Sequence, residues 1–270
     1  MAAVELVVTD LDGTLWDAEE RIHTRTLSAL RLLEERGLPL LVATGRRLRS
    51  AVDTLARSGL APPMVVLDGA MGRVPATGRV FHESVFDRSQ AEAVLAAFLD
   101  HDVEPCVYVD LPGVEVVVGE RPSTSPRHLQ RIGDYLARDD LARVVAQERV
   151  FSFGVAAGDP AALAAILRRC AVGADGTVTR DLLHGGATLM VHAKGVNKWA
   201  GVLAWCAVEG LDPQRVLAVG DGENDIELLS AAAVACVVRD GSDAALALAD
   251  HVIEPAGEGG WSAIVELAHD

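Results

Sequence analysis

Short apolar runs alternate with helix-forming segments in the first third of the chain, and this rhythm constrains the fold more than any other feature. The apolar runs span residues 4–9, 38–43 and 64–67, and helical periodicity fills residues 23–36 and 46–58 between them. Strands that are apolar throughout, with helices between them, are typical of a parallel sheet covered on both faces. Because such crossovers are right-handed, this segment predicts consecutive parallel β/α units.

The last third of the chain returns to the same rhythm. Its short apolar runs are again separated by segments with helical periodicity, which indicates that both ends of the chain contribute to one parallel sheet. The predicted strands are 216–219, 234–238 and 251–253, and the predicted helices are 196–209, 223–232, 242–249 and 260–268.

The middle of the chain has a different pattern. Strand-like runs at residues 104–109 and 114–118 flank Asp110-Leu-Pro-Gly113, which is a hairpin signal. Antiparallel pairing is therefore expected here, in an α+β module. The predicted helices of this module are 88–99, 127–137 and 159–170.

We therefore predict an α/β fold, with a Rossmann-like doubly wound parallel sheet core and an inserted α+β domain. A chain of 270 residues that is 50% hydrophobic has enough apolar material for two such domains. The core is assigned to residues 1–82 and 188–270, and the inserted domain to residues 83–187.

The charge balance limits the class of partner. There are 39 acidic residues against 24 Lys and Arg, which gives a formal net charge of −15. A strongly acidic surface is repelled by nucleic acid and by anionic membranes, so neither is expected as a partner. A small anionic substrate is still compatible, because a few local cations and a metal can reverse the potential inside one pocket.

Cysteine usage and the N-terminal segment favour a cytoplasmic location. Cys106, Cys170, Cys206 and Cys236 form no C-x-x-C pair, and we expect them to be reduced thiols. The first ten residues, MAAVELVVTD, lack the basic and apolar regions of a signal peptide. No apolar run reaches the ~18 residues that suggest a membrane span.

Four polar motifs stand at the ends of predicted strands or at the start of a predicted helix. They are DLDGT at residues 10–14, TGR at 44–46, KGVNK at 194–198 and GDGEND at 220–225. Ligands of open α/β sheets bind in the crevice outside the carboxyl ends of the strands. The four motifs are therefore expected to converge there, although more than half of the chain separates the second from the third.

Phosphoryl transfer is the chemistry that this set of residues suits. A carboxylate can attack phosphorus, and a second acid can move the proton of the leaving group and of water. A lysine and a hydroxyl group can neutralise the phosphate oxygens, and further carboxylates can hold a divalent cation. Hard oxygen ligands and a phosphate substrate favour Mg²⁺ over zinc.

Other interpretations of the same segments fail. An EF-hand loop would need an acid or Asn and then Gly where Thr14 and Leu15 stand, and the chain has neither a G-x-G-x-x-G after a strand nor a P-loop. Taken singly, Thr44 and Lys198 would be a turn residue and a solvated lysine, so the prediction depends on the whole set. The acidic segment 17–20 is interpreted as an exposed loop.

DLDGT, the ATGR that ends a strand, a lysine that opens a helix and GDGEND together resemble the haloacid dehalogenase superfamily of phosphohydrolases. The long α+β insertion between the second and third motifs is similar to the Cof-type (IIB) branch, in which the insertion is a C2-type cap domain. The resemblance covers essentially the whole chain. It implies a core that supplies the reaction and a cap that supplies selectivity.

The resemblance implies a role for each acid. Asp10 would be the nucleophile and a Mg²⁺ ligand, and Asp12 would be the general acid and base with its backbone carbonyl on the metal. Asp221 would bind Mg²⁺ directly, and Asp225 would bind it directly or through water.

The resemblance also implies a set of groups that bind the phosphate or the substrate. Lys198 is preferred over Lys194 as the catalytic lysine, although the family usually has Gly where Trp199 follows it. Thr44 would be catalytic through its hydrogen bond to the phosphate. The resemblance implies Thr44, Lys198 and Asn224 for phosphate binding, and Gly45, Arg46 and, from the cap, His184 are further candidates for phosphate or substrate binding. The alternative for Arg46 is a cation at the start of a helix.

Two further features bear on the substrate. Asp68 stands where family members often carry Asn, and an acid there either alters substrate contacts or caps a turn. The segments 184–186 and 257–261 give a loose similarity to mannosyl-3-phosphoglycerate phosphatase.

The expected function is a Mg²⁺-dependent phosphatase that hydrolyses a small phosphorylated metabolite, with a sugar phosphate as the expected class, through an aspartyl-phosphate intermediate. The alternatives are a phosphotransferase or phosphosugar mutase, and a non-catalytic sugar-phosphate-binding protein on the same fold. The sequence leaves the substrate and the oligomeric state open.

Overall fold

The computed structural model describes residues 3–181 and 185–268. None of the helices within these ranges is both long enough and apolar enough to cross a bilayer. The strands of the described residues are β1 (Leu6–Thr9), β2 (Leu40–Ala43), β3 (Met64–Val66), β4 (Met71–Val74), β5 (Arg79–Glu83), β6 (Cys106–Leu111), β7 (Val114–Val118), β8 (Leu136–Arg138), β9 (Ser152–Gly158), β10 (Ala174–Arg180), β11 (Ala187–Ala193), β12 (Val216–Gly220), β13 (Val234–Val238) and β14 (His251–Ile253). The α-helices are α1 (Thr24–Glu35), α2 (Leu48–Ala56), α3 (Arg88–Leu99), α4 (Pro126–Ile132), α5 (Leu141–Gln147), α6 (Pro160–Cys170), α7 (Lys198–Glu209), α8 (Ile226–Ala231), α9 (Asp243–Leu246) and α10 (Ile264–Leu267).

The chain divides into two compact units. The first combines Met1–Glu83 with Asn197–Asp270, and the second is Ser84–Val196. The sequence prediction returned the chain to the core at residue 188, whereas β11 lies in the second unit. The reason is that β11 pairs with both β9 and β10, so it completes the sheet of the insertion.

The first unit is built on an eight-stranded sheet in the order β14-β13-β12-β1-β2-β3-β4-β5. The strands from β14 to β3 in this order are parallel, which is the predicted Rossmann-like α/β arrangement. Their apolar sequences explain it, since every residue of β1, β12 and β13 is buried. The central strand β1 lies between β2 and β12, and thus joins the first and last thirds of the chain.

An antiparallel hairpin, β4–β5, extends the sheet and was missing from the sequence prediction. Arg73 interrupts the apolar pattern of β4, which is why the segment does not resemble a strand. In the structure Arg73 is buried, and its Nη2 lies 2.7 Å from Oε1 of Glu83 on β5. A paired and hydrogen-bonded charge can be buried, so the hairpin tolerates this arginine.

The second unit contains a six-stranded sheet in the order β10-β11-β9-β6-β7-β8. The predicted hairpin is present, with Val107 opposite Val117 and Tyr108 opposite Val116. The predicted helix 127–137 is shorter in the structure. It ends as α4 at Ile132 because Gly133, with φ 62° and ψ −133°, leaves the helical conformation, and β8 then begins.

Candidate active site

The strand order brings three of the sequence motifs to one edge of the first unit's sheet. Thr9, the last residue of β1, pairs with Val42 on one side and with Val219 on the other. Asp10 continues this pairing, because its N–H donates to the carbonyl of Val219 at 2.9 Å. Asp10, Thr44 and the loop after β12 therefore follow the carboxyl ends of three adjacent strands, where ligands of such sheets bind.

Three carboxylates form a cluster at this edge. Asp10, Asp221 and Asp225 each offer an oxygen, and these oxygens lie within 4.8 Å of one another. Burial raises the pKa of Asp10 well above its usual value; Lys198 opposes the shift, and the other two acids add to it. Burial and the charge of Asp225 raise the pKa of Asp221 to about 7. Without a further cation besides Lys198, the cluster therefore disfavours its own full ionisation.

Lys198 lies at this cluster. It is the first residue of α7, whose N-cap Asn197 accepts a hydrogen bond from the N–H of Ala200. Its Nζ donates to Oδ1 of Asp225 at 2.7 Å and lies 2.9 Å from Oδ1 of Asp10. Burial disfavours the ammonium, but the charges of the nearby acids outweigh it and raise the pKa of Lys198.

The alternative lysine, Lys194, lies beside a different acid. Lys194 belongs to the second unit, and its Nζ lies 3.2 Å from Oδ1 of Asp175 in the same unit. Its side chain is 60% exposed. Of the two candidates, the structure therefore brings Lys198 to the acids.

The loop after β12 is held by its own acids and by the first motif. Oδ2 of Asp225 accepts the N–H groups of Asp221 and Gly222, both at 3.0 Å. The hydroxyl group of Thr14 donates to Oδ1 of Asp221 at 2.7 Å. Gly13 has φ +76°, and a Cβ there would lie 2.9 Å from Oδ2 of Asp221. Glycine is therefore needed both for the backbone conformation and for the close approach of Asp221.

The cluster has the donor chemistry for a divalent cation. Oδ1 of Asp10 is buried and receives no hydrogen bond from the described residues, although Lys198 Nζ is close to it. Three carboxylates surround this position, and carboxylate oxygens are the ligands that Mg²⁺ prefers. The residues present therefore fit a bound divalent cation.

Asp12 forms an ion pair with Arg46. The guanidinium donates through Nη2 to Oδ1 of Asp12 at 2.5 Å and through Nε to Oδ2 at 2.6 Å. Trp16 Nε1 also donates to Oδ1, at 3.0 Å. Desolvation opposes ionisation, but the hydrogen bonds and charge of Arg46 outweigh it and lower the pKa of Asp12. Arg46 was predicted to contact substrate, and here its guanidinium is engaged by Asp12 and by Glu20.

A second group of predicted residues surrounds Asp68. Asn224 Nδ2 donates to Oδ1 of Asp68 at 2.9 Å, and a Cβ on Gly45 would lie 2.7 Å from the same oxygen. Thr44 is buried, and its Oγ1 accepts the N–H of Arg46 at 3.2 Å. Asp68 itself is buried and has φ 52°, a conformation rare for a residue with a side chain.

Two residues at the site, Trp16 and Glu20, were not identified from the sequence as functional candidates, and Asp68 was noted with two alternative roles. Asp68 had a signal, since it departs from the Asn that is frequent in the family. Glu20 was assigned to an exposed loop, but its side chain is only 15% exposed and pairs with Arg46. Trp16 gave no signal beyond being a bulky residue after the first motif. The predicted cap residue His184 lies outside the described residues.

The sequence matches a family of known proteins along nearly its whole length. Residues 7–264 match the model of the haloacid dehalogenase-like hydrolases. A relative named phosphoglycolate phosphatase, from Methanopyrus kandleri, is 26% identical over 252 residues, covering 92% of this chain and 90% of the relative. A putative phosphatase of Haemophilus influenzae is 27% identical over 236 residues, covering 87% and 85%.

Solved structures share the fold of the whole chain. A haloacid dehalogenase-like hydrolase of B. subtilis superposes with a TM-score of 0.81 at 17% identity, covering 97% of this chain and 99% of the other. A subclass IIB sugar phosphatase superposes with a TM-score of 0.79 at 22% identity, covering 97% and 98%. At these identities the likeness concerns the fold.

Proposed function

This chain belongs to the haloacid dehalogenase-like hydrolases, and from that membership we propose that it is a Mg²⁺-dependent phosphatase of a small phosphorylated metabolite. Relatives along almost its full length are named as phosphatases, which supports a phosphoric monoester hydrolase. The observation that carries the proposal is the buried Lys198, which lies against Asp10 and Asp225 at the carboxyl edge of the sheet.

Asp10 is the proposed nucleophile. Its carboxylate would attack phosphorus, forming a bond between the Asp10 oxygen and phosphorus while the bond from phosphorus to the leaving oxygen breaks. Lys198, with Nζ 2.9 Å from Oδ1 of Asp10, would offset the negative charge of the transferring phosphoryl group. The product of this half-reaction is an aspartyl phosphate.

Asp12 is the proposed general acid and base. In its protonated form it would give a proton to the leaving oxygen in the first half-reaction. In the second half-reaction it would take a proton from the water that attacks phosphorus, while the bond between phosphorus and the Asp10 oxygen breaks. This releases inorganic phosphate, restores the Asp10 carboxylate and leaves Asp12 protonated for the next cycle. Thr44, Gly45 and Asn224, from the ends of β2 and β12, are the proposed donors to the phosphate oxygens.

Mg²⁺ is the proposed cofactor. The carboxylates of Asp10, Asp221 and Asp225, with the backbone carbonyl of Asp12, would hold it. A bound Mg²⁺ would neutralise negative charge on the phosphate oxygens and so reduce their repulsion of the nucleophile.

Two substrate classes are proposed. Sugar phosphates come first, because this chain shares its whole fold with a subclass IIB sugar phosphatase. Phosphoglycolate is the second candidate, because several full-length relatives are named phosphoglycolate phosphatase. The likeness to mannosyl-3-phosphoglycerate phosphatase remains loose and adds no third candidate.

The test is phosphate release from both classes with Mg²⁺ present, in the wild-type protein and in Asp10→Asn. The variant should lose at least about a thousandfold in rate, because the amide cannot form the acyl phosphate. Asp159→Asn is the matched control: this residue caps α6 in the second unit, where Asn caps equally well, so the rate should not change. An Asp10→Asn protein with wild-type activity would contradict the nucleophile assignment.

The alternative functions give different products. A phosphotransferase or mutase would move the phosphoryl group to a sugar hydroxyl and release little free phosphate. A binding protein would retain a sugar phosphate without turnover, and would gain nothing from an acid placed beside a nucleophile.

A further inference from the structure

Arg46 from the second motif and Trp16 from the segment after the first motif both donate hydrogen bonds to the side chain of Asp12. Arg46 donates to both carboxylate oxygens, Nη2 to Oδ1 at 2.5 Å and Nε to Oδ2 at 2.6 Å. Such a two-point pairing fixes the orientation of a carboxylate as well as its position. Trp16 Nε1 adds a second hydrogen bond to Oδ1, at 3.0 Å.

Trp16 contacts both members of this ion pair. Its side chain is fully buried, and the guanidinium carbon of Arg46 lies 4.8 Å from its ring centroid. The backbone of Trp16 also forms an isolated bridge with Asp12. The indole therefore supports Arg46 through its face and Asp12 through its N–H.

Glu20 fixes the other end of the guanidinium. Its Oε1 accepts a hydrogen bond from Arg46 Nη1 at 2.7 Å, and its Oε2 lies 3.4 Å from Nη1 of Arg57. Glu20 has φ 59°, a conformation rare for a residue with a side chain, and this turn directs it towards Arg46. Nε, Nη1 and Nη2 of Arg46 thus each donate to an acid beside them.

The two oxygens of Asp12 are left in different states. A carboxylate oxygen offers about two acceptor positions. Among the described residues, Oδ1 accepts from both Arg46 and Trp16, so its positions are filled, whereas Oδ2 accepts from Arg46 alone. This leaves one acceptor position on Oδ2 for a proton.

We propose that Trp16 and Glu20 are positioning residues for the proposed reaction, and that they make Oδ2 the oxygen of Asp12 that exchanges the proton. Trp16 does so by occupying Oδ1 and supporting Arg46, and Glu20 by anchoring Arg46. The inference rests on the proposed function, in which Asp12 protonates the leaving oxygen. It goes further in naming the residues that direct Asp12.

The test compares esters that do and do not need a proton on the leaving group. An alkoxide must be protonated as it leaves, whereas p-nitrophenolate leaves without a proton. Trp16→Phe keeps an aromatic face under Arg46 and removes the N–H. It should lower kcat/KM for glucose 6-phosphate and 2-phosphoglycolate about tenfold more than for p-nitrophenyl phosphate. The reason is that the variant weakens general acid catalysis by Asp12, which only the first two esters need.

Trp205→Phe is the matched control. Trp205 is also buried beneath an arginine, with the Arg79 guanidinium carbon 5.4 Å from its ring centroid, but its Nε1 donates no hydrogen bond in the described structure. The same truncation there should change kcat/KM for all three esters by one common factor. An equal loss for alkyl and aryl esters in Trp16→Phe, or a selective loss in Trp205→Phe, would overturn the proposal.

Glu20→Gln tests the same positioning of Asp12 through Arg46 without altering the core. It should give a selective loss of about threefold for the alkyl esters, because Arg46 loses one charged anchor. Glu19→Gln is its control, since Glu19 pairs with the exposed Arg21 instead. No selectivity in Glu20→Gln would overturn the role of Glu20.

Different measurements would contradict the phosphatase proposal and the positioning proposal. If the phosphatase proposal is wrong, the wild-type protein releases no phosphate from any of the three esters. If only the positioning proposal is wrong, the wild-type protein is active and Asp10→Asn is inactive, but the Trp16 and Glu20 variants show no ester selectivity.

Discussion

The positive charge of Lys198 is stabilised by the acids beside it. It is fully buried, and its Nζ is within 2.9 Å of Asp10 and 2.7 Å of Asp225. Removing one partner of a buried ion pair leaves the other charge uncompensated, which is more costly than losing an exposed pair. The acids of the first and last motifs therefore share one cation for stability as well as for the proposed chemistry.

Lys198→Met should destabilise the protein and inactivate it. We expect a loss of about 3 kcal/mol in the free energy of unfolding, measured by urea denaturation without metal, and a fall in phosphate release of at least about a hundredfold. The chain has one other lysine, and Lys194→Met is the control because that side chain is exposed. A stable or active Lys198→Met protein would contradict the shared-cation account.

Asp68 adds negative charge to the field around Lys198. It is buried, and its charge helps to raise the pKa of Lys198. A substrate that carries a carboxylate besides its phosphate should be disfavoured by such a charge more than a neutral sugar phosphate.

Asp68→Asn should therefore shift substrate preference. Asn tolerates the left-handed backbone at this position, so we expect the fold to be unchanged. The ratio of kcat/KM for 2-phosphoglycolate to that for glucose 6-phosphate should rise several-fold, which corresponds to about 1 kcal/mol. An unchanged ratio would show that Asp68 only orients Asn224.

Sequence identified the residues of the acid cluster and Arg46, and missed Trp16 and Glu20, which contact Arg46. Asp10, Asp221, Asp225 and Lys198 are predictable because strand ends and a helix start determine where they lie. The position of Trp16 depends on the direction of one side chain, which no periodicity encodes. Glu20 and Asp68 depend on left-handed backbone conformations, which in sequence are signalled by glycine.

At the scale of elements, the loops after β1 and β12 are fitted closely to each other. Thr14 donates a hydrogen bond to Asp221, and Gly13 lies where any side chain would meet the same carboxylate. The two loops thus hold the acids of the first and last motifs close to each other.

Gly13→Ala should separate the two loops. It adds the strain of a positive φ and a contact with Asp221, so we expect a loss of about 2–3 kcal/mol in unfolding free energy and a large loss of activity. Gly37→Ala is the matched control, because Gly37 has φ +69° with nothing within 4 Å of a Cβ, and should lose only about 1 kcal/mol. If Gly13→Ala and Gly37→Ala lost the same stability and the same activity, the contact with Asp221 would be unimportant.

Elements with strong patterns were predictable, and those shaped by tertiary contacts were not. The buried and almost wholly apolar strands β1, β12 and β13 follow from their sequences. The β4–β5 hairpin does not, because Arg73 is acceptable in a buried strand only once Glu83 lies beside it. The end of α4 depends on the conformation of a single residue, Gly133.

At the scale of the whole molecule, the acid cluster links stability to pH and to metal. The pKa of Asp221 is raised to about 7 in the folded protein, so in this range the folded state binds more protons than the unfolded state. The stabilisation that this protonation gives is present at low pH and is lost as pH rises through the folded pKa.

Without metal, unfolding free energy should therefore fall by about 2–3 kcal/mol between pH 5 and pH 7. Mg²⁺ should restore stability most strongly at pH 8, where the carboxylates are ionised and can bind it. Thermal unfolding in EDTA and in Mg²⁺ across this range measures both effects. In Asp221→Asn the unfolding free energy should fall less between pH 5 and pH 7. If it fell as much as in the wild-type protein, the pH dependence would belong to other groups.

The position of β1 between β2 and β12 has a consequence for how the protein is made. Ribosomes add about 5–20 residues per second, so roughly 10–40 s separate the synthesis of Thr9 from that of Lys198. For that interval the nascent chain holds its nucleophile candidate without the lysine and without one neighbouring strand. A chain terminated before Lys198 would therefore carry the most recognisable motif of the sequence and no phosphatase activity, so that activity would report translation beyond this point.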